Sequence, residues 1–192
     1  MPVGTLVVLG SGGHTAEILT LVGQLDKSKY VPRCYVAAVT DRLGHTKALA
    51  AEDGFRTTTT KGKRAAGCKP SDQVALATIP RSREVGQSYL TSVWTTLRAL
   101  LAAFVLVYRV CPELVLVNGP GTCIPICAAA YVFRLFLFRP CRIVYVESIA
   151  RVKSLSLSGK ILYHMRMADA IFVQWPDLLT RYSRAQCCGR LY

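Results

Sequence analysis

Acidic side chains are scarce in this chain: 11 Asp and Glu face 24 Lys and Arg, a formal net charge of +13 over 192 residues. Such an excess points to an anionic partner, whether nucleic acid, a phospholipid surface or a phosphorylated substrate. Aromatic and basic residues do not interleave on any strand and no helix-turn-helix pattern occurs, which argues against a nucleic-acid-binding domain. Paired cysteine motifs are missing too. The eight cysteines (34, 68, 111, 123, 127, 141, 187 and 188) include no CxxC, so their spacing suits neither a zinc site nor a secreted disulfide framework. Several lie in apolar runs, where a reduced thiol behaves as a small hydrophobe, and this usage suits a reducing, cytosol-facing compartment. No window holds about 18 apolar residues free of charge, so no transmembrane helix is expected. The first strand begins almost at Met1, so no signal peptide is expected either. Two stretches come nearest to a span: residues 99–108, bounded by Arg98 and Arg109, and residues 123–138, interrupted by Arg134. Each reads either as a buried core helix or as a helix resting on a membrane surface.

With 52% hydrophobic and 18% charged residues, and neither repeats nor an internal linker, the chain reads as one globular domain large enough for a real core. Strand-like and helix-like segments alternate, which predicts an α/β fold with a largely parallel sheet. Strands are expected over residues 5–9, 34–40, 73–79, 114–117, 142–146 and 170–173. Helices are expected over 15–25, 47–52, 87–110, the apolar stretch after Thr122, and 157–167. Glu17 falls in the first turn of the first of these, where a carboxylate suits the helix dipole, and Asp41 is placed to cap the second. Residues 54–72, rich in Thr, Gly and Lys, read as a basic surface loop. The tail from Tyr182 to Tyr192 has no clear type.

Ligands of open α/β sheets bind at the carboxyl ends of the strands, and four motifs fall there. The first is Gly10-Ser11-Gly12-Gly13-His14-Thr15, a glycine turn entering a helix whose free N–H groups favour phosphate. It lacks the last glycine of GxGxxG and the acid about 20 residues on, and no GxxxxGK[ST] occurs, so neither a dinucleotide nor a P-loop nucleotide is expected and no cofactor is implied. His14 is either a core histidine capping the turn or an imidazole beside the anion. Arg81 and Arg83 flank Ser82 at a strand end. They form either a solvated basic loop or, by guanidinium geometry, a phosphate clamp. Asn118-Gly119-Pro120-Gly121-Thr122 is a second glycine turn. Glu147-Ser148 ends a buried strand, with Glu147 read as a helix cap or as a functional carboxylate.

The run Leu9-Gly10-Ser11-Gly12-Gly13-His14-Thr15-Ala16-Glu17-Ile18-Leu19 resembles the start of the Alg14 family. That family is the acceptor-side, membrane-associated subunit of the UDP-N-acetylglucosamine transferase that adds the second sugar of the dolichol-linked oligosaccharide. Ile79-Pro80-Arg81-Ser82-Arg83-Glu84-Val85, Val117-Asn118-Gly119-Pro120-Gly121-Thr122-Cys123-Ile124-Pro125, Val144-Tyr145-Val146-Glu147-Ser148, Ser156-Leu157-Ser158-Gly159-Lys160, Phe172-Val173-Gln174-Trp175-Pro176 and Gly189-Arg190 resemble its later motifs. They occur in the family's order and span nearly the whole chain.

The resemblance implies a Rossmann-like, doubly wound, mainly parallel sheet: the N-terminal, acceptor half of a GT-B glycosyltransferase, over residues 1–192. A separate donor-binding catalytic subunit (Alg13-type) would hold UDP-GlcNAc and dock on the tail, residues 182–192. The implied reaction joins GlcNAc by a β1,4 bond to GlcNAc-diphosphodolichol, with inversion and no metal, at the cytosolic face of the endoplasmic reticulum membrane. A base must take the proton of the attacking acceptor hydroxyl; His14 is the first candidate, imidazole being the side chain whose unperturbed pKa lies near neutrality, and Glu147 the second. The backbone of Gly10, Ser11, Gly12, Gly13 and Thr15, with Arg81 and Arg83, would hold the acceptor diphosphate, and Asn118, Gly119, Gly121, Thr122 and Ser148 complete the substrate-binding set. The helix after Thr122 and that around residues 99–108 would rest on the bilayer, basic residues facing acidic headgroups. Family members carry a hydrophobic anchor ahead of the first strand. Residues 1–4 do not supply one, so the expectation is a different chain start, or attachment that is peripheral or made through another membrane protein. The rival expectation is a non-catalytic membrane scaffold that recruits the partner and presents the lipid.

Overall fold

The computed structural model describes residues 1–56, 74–81, 89–136 and 140–191. Seven parallel strands form one sheet in the order β3-β2-β1-β4-β5-β6-β7. They are β1 (Thr5–Val8), β2 (Arg33–Ala38), β3 (Val74–Ile79), β4 (Leu114–Val117), β5 (Arg142–Val146), β6 (Ala170–Val173) and β7 (Gln186–Cys187). The helices between them are α1 (Gly13–Gln24), α2 (Arg42–Arg56), α3 (Tyr89–Val110), α4 (Cys123–Phe136) and α5 (Leu157–His164), with a 3-10 turn at Pro176–Thr180.

Right-handed crossovers dictate the layers. From β1 the chain steps one way across the sheet, and from β4 the other way, so α1 and α2 cover one face and α3, α4 and α5 the opposite face. The side chains sort accordingly, because strand residues alternate between faces. Val7, Tyr35, Ala37 and Leu116 pack with Ile18 and Val22 of α1. Leu6, Val36, Val115, Val117, Ile143 and Tyr145 pack with Ala103 and Val107 of α3 and the apolar side of α4. Fully buried strands of Val, Ile and Leu are what a parallel sheet covered on both faces requires.

Sequence and structure differ at three places that matter. Helix α1 starts at Gly13, two residues earlier than expected, so Glu17 lies beyond its first turn and is not a dipole residue. Helix α2 runs from Arg42 to Arg56 and absorbs the first residues of the expected basic loop, the rest of which lies outside the described residues. Asp41 caps it as anticipated, with Gly44 N–H donating to Asp41 Oδ1 at 3.1 Å. The tail, given no type from sequence, buries Tyr182 and Ala185 and adds β7 to the sheet edge.

Helix α2 is fastened by a buried ion pair. Arg33 Nε and Nη2 each donate at 2.9 Å to the two oxygens of Glu52, and Tyr35 Oη donates to Glu52 Oε1 at 2.5 Å. Burial alone would push the Glu52 carboxyl up; the Arg33 and Tyr35 hydrogen bonds and the Arg33 charge outweigh it and hold the group below its ordinary value.

Candidate active site at the ends of β1, β4 and β5

The strand order reverses between β1 and β4. There the loops leave in opposite directions and open a crevice, the usual ligand position of such sheets. On the β1 side, Gly10 makes the close approach possible. A Cβ there would stand 2.7 Å from His14 Cβ and 3.1 Å from Pro120 Cβ, so any other residue would wedge the two turns apart. Gly12 has φ +63°, which favours glycine, and no side chain caps α1. The first N–H groups of the helix are therefore open to an anion. Ser11, Gly12 and Gly13 are exposed. Thr15 is buried, and its hydroxyl donates to Gly10 O, closing the turn from within.

The imidazole of His14 is about one-third exposed (35%) and sits where the β1 and β4 turns meet. Asn118, fully buried, donates from Nδ2 to His14 O at 2.6 Å and so locks the two turns together. The same nitrogen lies 3.4 Å from Glu17 Oε2, and Ser148 Oγ donates to Glu17 Oε1 at 2.8 Å. Glu17 Oε2 is 3.6 Å from His14 Nδ1. Gly119 separates the imidazole from the next layer: its φ is +99°, and a Cβ would fall 3.2 Å from Tyr145 Oη and 3.5 Å from His14 Cε1. Three buried polar atoms here lack a hydrogen-bond partner, namely His14 Nδ1, Asn118 Oδ1 and Thr122 Oγ1. Unsatisfied buried polar groups are rare in folded proteins and call for an explanation.

Glu147 is fully buried at the end of β5. Its Oε1 accepts from Tyr145 Oη at 3.0 Å and Ser148 N at 3.1 Å, and its Oε2 from Ser156 N at 2.7 Å. Ser156 is the N-cap of α5, taking Gly159 N–H on its side chain at 3.1 Å. Since the single proton of Tyr145 goes to Glu147, the 2.7 Å contact between Ser156 Oγ and Tyr145 Oη is a donation by the serine. Burial, and then the Glu147 charge, push the Tyr145 hydroxyl far above its ordinary value, so it stays a neutral donor. Of the two roles open for Glu147, this is the capping arrangement: both oxygens are turned to the protein.

The structure thus brings together the motifs of β1, β4 and β5. Gly121 is exposed and Thr122 buried behind it. Arg81, half-buried after β3, is two strands from β1, about 10 Å at ordinary strand spacing. Arg83, with Ser82 and Glu84, lies outside the described residues. Sequence reading missed Glu17, Tyr145, Ser156 and Gln174. The signal for Glu17 was its i, i+3 spacing from His14, which on a helix puts both on one side.

Comparison with known proteins decides the family. The chain matches the family described as "Oligosaccharide biosynthesis protein Alg14 like" over residues 5–191. The chain belongs to the Alg14 family. Similar proteins include the UDP-N-acetylglucosamine transferase subunit ALG14 of Rattus norvegicus, 47% identical over 98% of this chain and 82% of the relative. The Homo sapiens protein of that name is 45% identical over 97% and 82%, and that of Schizosaccharomyces pombe 42% identical over 96% and 81%. Among solved structures, MurG of Acinetobacter baumannii superposes with a TM-score of 0.63 at 14% identity, over 97% of this chain and 45% of MurG. A UDP-N-acetylglucosamine 2-epimerase superposes at 0.57 and 16% identity, over 92% and 43%. These two share the fold, a Rossmann-like, doubly wound sheet.

Two further surfaces stand out on this Alg14-family chain. On the α1 face, a cavity of about 660 Å³ lies beside α1 over β4, β5 and β6, lined among others by Leu21, Leu25, Leu116, Val144, Phe172 and Leu191. The tail closes one side of it: Leu191 N donates to Gln174 Oε1 at 2.8 Å, and Arg190 lies over the Trp175 ring. On the opposite face, Trp94, Leu97, Leu101, Val105 and Tyr108 of α3 are all exposed. Their spacing of three and four residues makes one continuous helical stripe. Helix α4, by contrast, buries Cys123, Ile126, Cys127 and Ala130, so the stretch after Thr122 is mostly core; only Leu135 and Phe136 at its end are exposed. Among the described residues no helix is long and apolar enough to cross a membrane.

Proposed function

We propose that this chain is the acceptor-binding subunit of a two-subunit transferase that moves GlcNAc from UDP-GlcNAc to GlcNAc-diphosphodolichol, forming a β1,4 bond, and is inactive alone. The observation that carries this reading is that relatives sharing about four-fifths of their length with the chain are each named a UDP-N-acetylglucosamine transferase subunit. The site supports the acceptor role. The uncapped start of α1 offers N–H groups to a diphosphate, and behind it the buried Asn118 Oδ1 and Thr122 Oγ1 have no hydrogen-bond partner within the protein. Gly119, Gly121 and Ser148 frame the same crevice, and Arg81 supplies charge from the β3 side, a role we extend to Arg83 on its sequence motif alone.

In the mechanism we infer, the acceptor 4-hydroxyl gives its proton to the free imidazole nitrogen of His14. Its oxygen attacks the anomeric carbon, and UDP leaves from the opposite face with the electron pair of the broken C–O bond. The imidazolium then returns its proton to water. Glu147 keeps the β5 end and the start of α5 in place and does not touch the sugar.

The donor, held by an Alg13-type subunit, would arrive over the crevice. A parallel sheet needs both faces covered, and a helix of that subunit fits the apolar cavity beside α1, next to the Gly189–Leu191 end of the tail. The α3 stripe would lie on the endoplasmic reticulum bilayer at its cytosolic face. Trp94 and Tyr108 suit the headgroup boundary, and Arg98 and Arg109 the acidic lipids.

The deciding experiment is co-purification with the donor-binding subunit, then an assay with UDP-GlcNAc and a GlcNAc-diphospho-lipid. The expected result is turnover by the pair and none by either chain. Turnover by this chain alone overturns the split-enzyme reading, and full turnover by a pair carrying both His14→Gln and Glu147→Gln leaves only the scaffold role.

A further inference from the structure

We propose that Glu17 is the positioning residue of this site: its carboxylate takes the Nδ1–H of His14, which leaves Nε2 as the basic nitrogen facing the acceptor hydroxyl. The inference rests on the reading of His14 as the base. It starts from an anomaly, a buried Nδ1 without a hydrogen-bond partner whose nearest carboxylate oxygen, Glu17 Oε2, is 3.6 Å away. That gap is a few tenths of an ångström beyond a hydrogen bond. A small turn of the imidazole closes it, and catalytic hydrogen bonds are commonly long until substrate is bound.

The carboxylate is itself held, and from three elements. It projects from the second turn of α1. Ser148 Oγ, at the end of β5, donates to Oε1 at 2.8 Å. Asn118 Nδ2, at the end of β4, lies 3.4 Å from Oε2 while binding the backbone of His14 at 2.6 Å. A carboxylate serving only the helix dipole would stand in the first turn and face solvent; the Glu17 side chain is 14% exposed and turned toward Ser148 and Asn118. Its negative charge also favours the imidazolium that forms when Nε2 takes the proton. Among the described residues, the other titratable groups on this side are the Tyr145 hydroxyl, across Gly119 from the imidazole, and Glu147 behind it, whose oxygens are engaged by Tyr145, Ser148 and Ser156.

The test uses the reconstituted two-subunit enzyme carrying Glu17→Gln, Glu17→Ala, His14→Gln or the double change His14→Gln/Glu17→Gln. Glu17→Gln should lower kcat by roughly 10- to 100-fold while KM for the lipid acceptor stays within about threefold, since no uniform binding is lost. The double variant should be no slower than His14→Gln. Nitrogen-15 NMR of the histidines in the complex gives a readout apart from turnover: the Nδ1–H form of His14 should dominate in the parent and fall in both Glu17 variants. If His14→Gln abolishes turnover while both Glu17 variants keep kcat and the tautomer, the Glu17 inference is wrong and the base reading stands. If His14→Gln turns over normally, the base reading fails; an unchanged tautomer in the Glu17 variants would then sink the positioning role as well. A Glu17→Ala chain that fails to fold leaves the decision with Glu17→Gln, which keeps the side chain's shape.

Discussion

Removing the Glu147 carboxylate should unfold this site before it alters any chemistry, and the size of the effect follows from its partners. Glu147 is fully buried and accepts three hydrogen bonds, from Tyr145 Oη, Ser148 N and Ser156 N. Glu147→Ala orphans all three donors. At about 1–3 kcal/mol for each unsatisfied buried group, less some relief from entering water, the loss is roughly 3–6 kcal/mol. Against the usual 5–15 kcal/mol of a whole domain, that brings the chain to the edge of unfolding. Glu147→Gln is the sharper probe. Both oxygens of Glu147 face N–H groups, Oε1 toward Ser148 N and Oε2 toward Ser156 N. A glutamine has one acceptor oxygen, so in either orientation its NH2 confronts a backbone N–H, at a cost of about 1–3 kcal/mol. Guanidinium denaturation of the purified subunit should therefore rank the parent above Glu147→Gln above Glu147→Ala. The reconstituted Glu147→Gln enzyme, once folded, should keep turnover within about tenfold, well short of the 10²–10⁴ expected for a lost acid or base. Two outcomes refute the reasoning: both variants within about 0.5 kcal/mol of the parent, or Glu147→Gln as stable as the parent but a thousandfold slower. The second would make Glu147 a reacting carboxylate.

Three other perturbations follow from the geometry. Gly119→Ala forces a Cβ onto a backbone at φ +99° and to 3.2 Å from Tyr145 Oη, so it should cost about 1–2 kcal/mol in a melt and depress turnover by displacing His14; an unchanged melt and rate would show that the turn adjusts freely. The Glu52 carboxyl is held below its ordinary value, so its pairing with Arg33 stabilises the fold above about pH 4.3 and is lost as pH falls through the folded-state value. Arg33→Met should cost about 3–5 kcal/mol at neutral pH and flatten the fall in Tm on acidification, whereas a parallel Tm–pH curve would contradict that. Leu101→Glu with Val105→Glu, on the exposed α3 stripe, should cut flotation with phosphatidylserine-containing vesicles at least about tenfold at unchanged Tm; undiminished flotation would remove α3 from the membrane contact.

The fold was legible because it is written in local patterns. Buried strands such as Leu114–Val117 are runs of Val and Leu, and glycine turns follow them at the switch point. Element ends were less legible: α2 runs through Gly54 to Arg56, where composition suggested loop. Strand β7 has only Gln186 and Cys187, too short for any periodicity, and exists because the edge of β6 is there to pair with. Of the site, the backbone turns could be read directly, since Gly10 and Gly119 are required by contacts that any reader of a strand–glycine–helix pattern expects. Side-chain partners could not. Tyr145, Ser156 and Glu147 form one hydrogen-bonded chain across two elements, and only the folded sheet reveals that Glu147 is spent inside it.

Glu17 shows why position along a helix is not enough to assign a carboxylate. A shift of two residues in the start of α1 moves it from the first turn, where the dipole would account for it, to a place where the dipole is weak. What then holds it is long-range: Ser148 is 131 residues away and Asn118 101. Those contacts come from β5 and β4, which lie on one side of the switch point, while Glu17 and His14 come from the other. The carboxylate is therefore a joint between the two halves of the sheet, and its geometry depends on both. A base placed on such a joint can be brought into register by whatever closes over the crevice. A site on one β-strand end alone would not respond to a partner seated beside β5 and β6. In this chain the apolar cavity between α1 and those strands, bordered by Leu191, is lined from α1 by Leu21 and Leu25, at the end of the helix away from His14 and Glu17. Docking there would push directly on α1, the helix that carries His14 and Glu17.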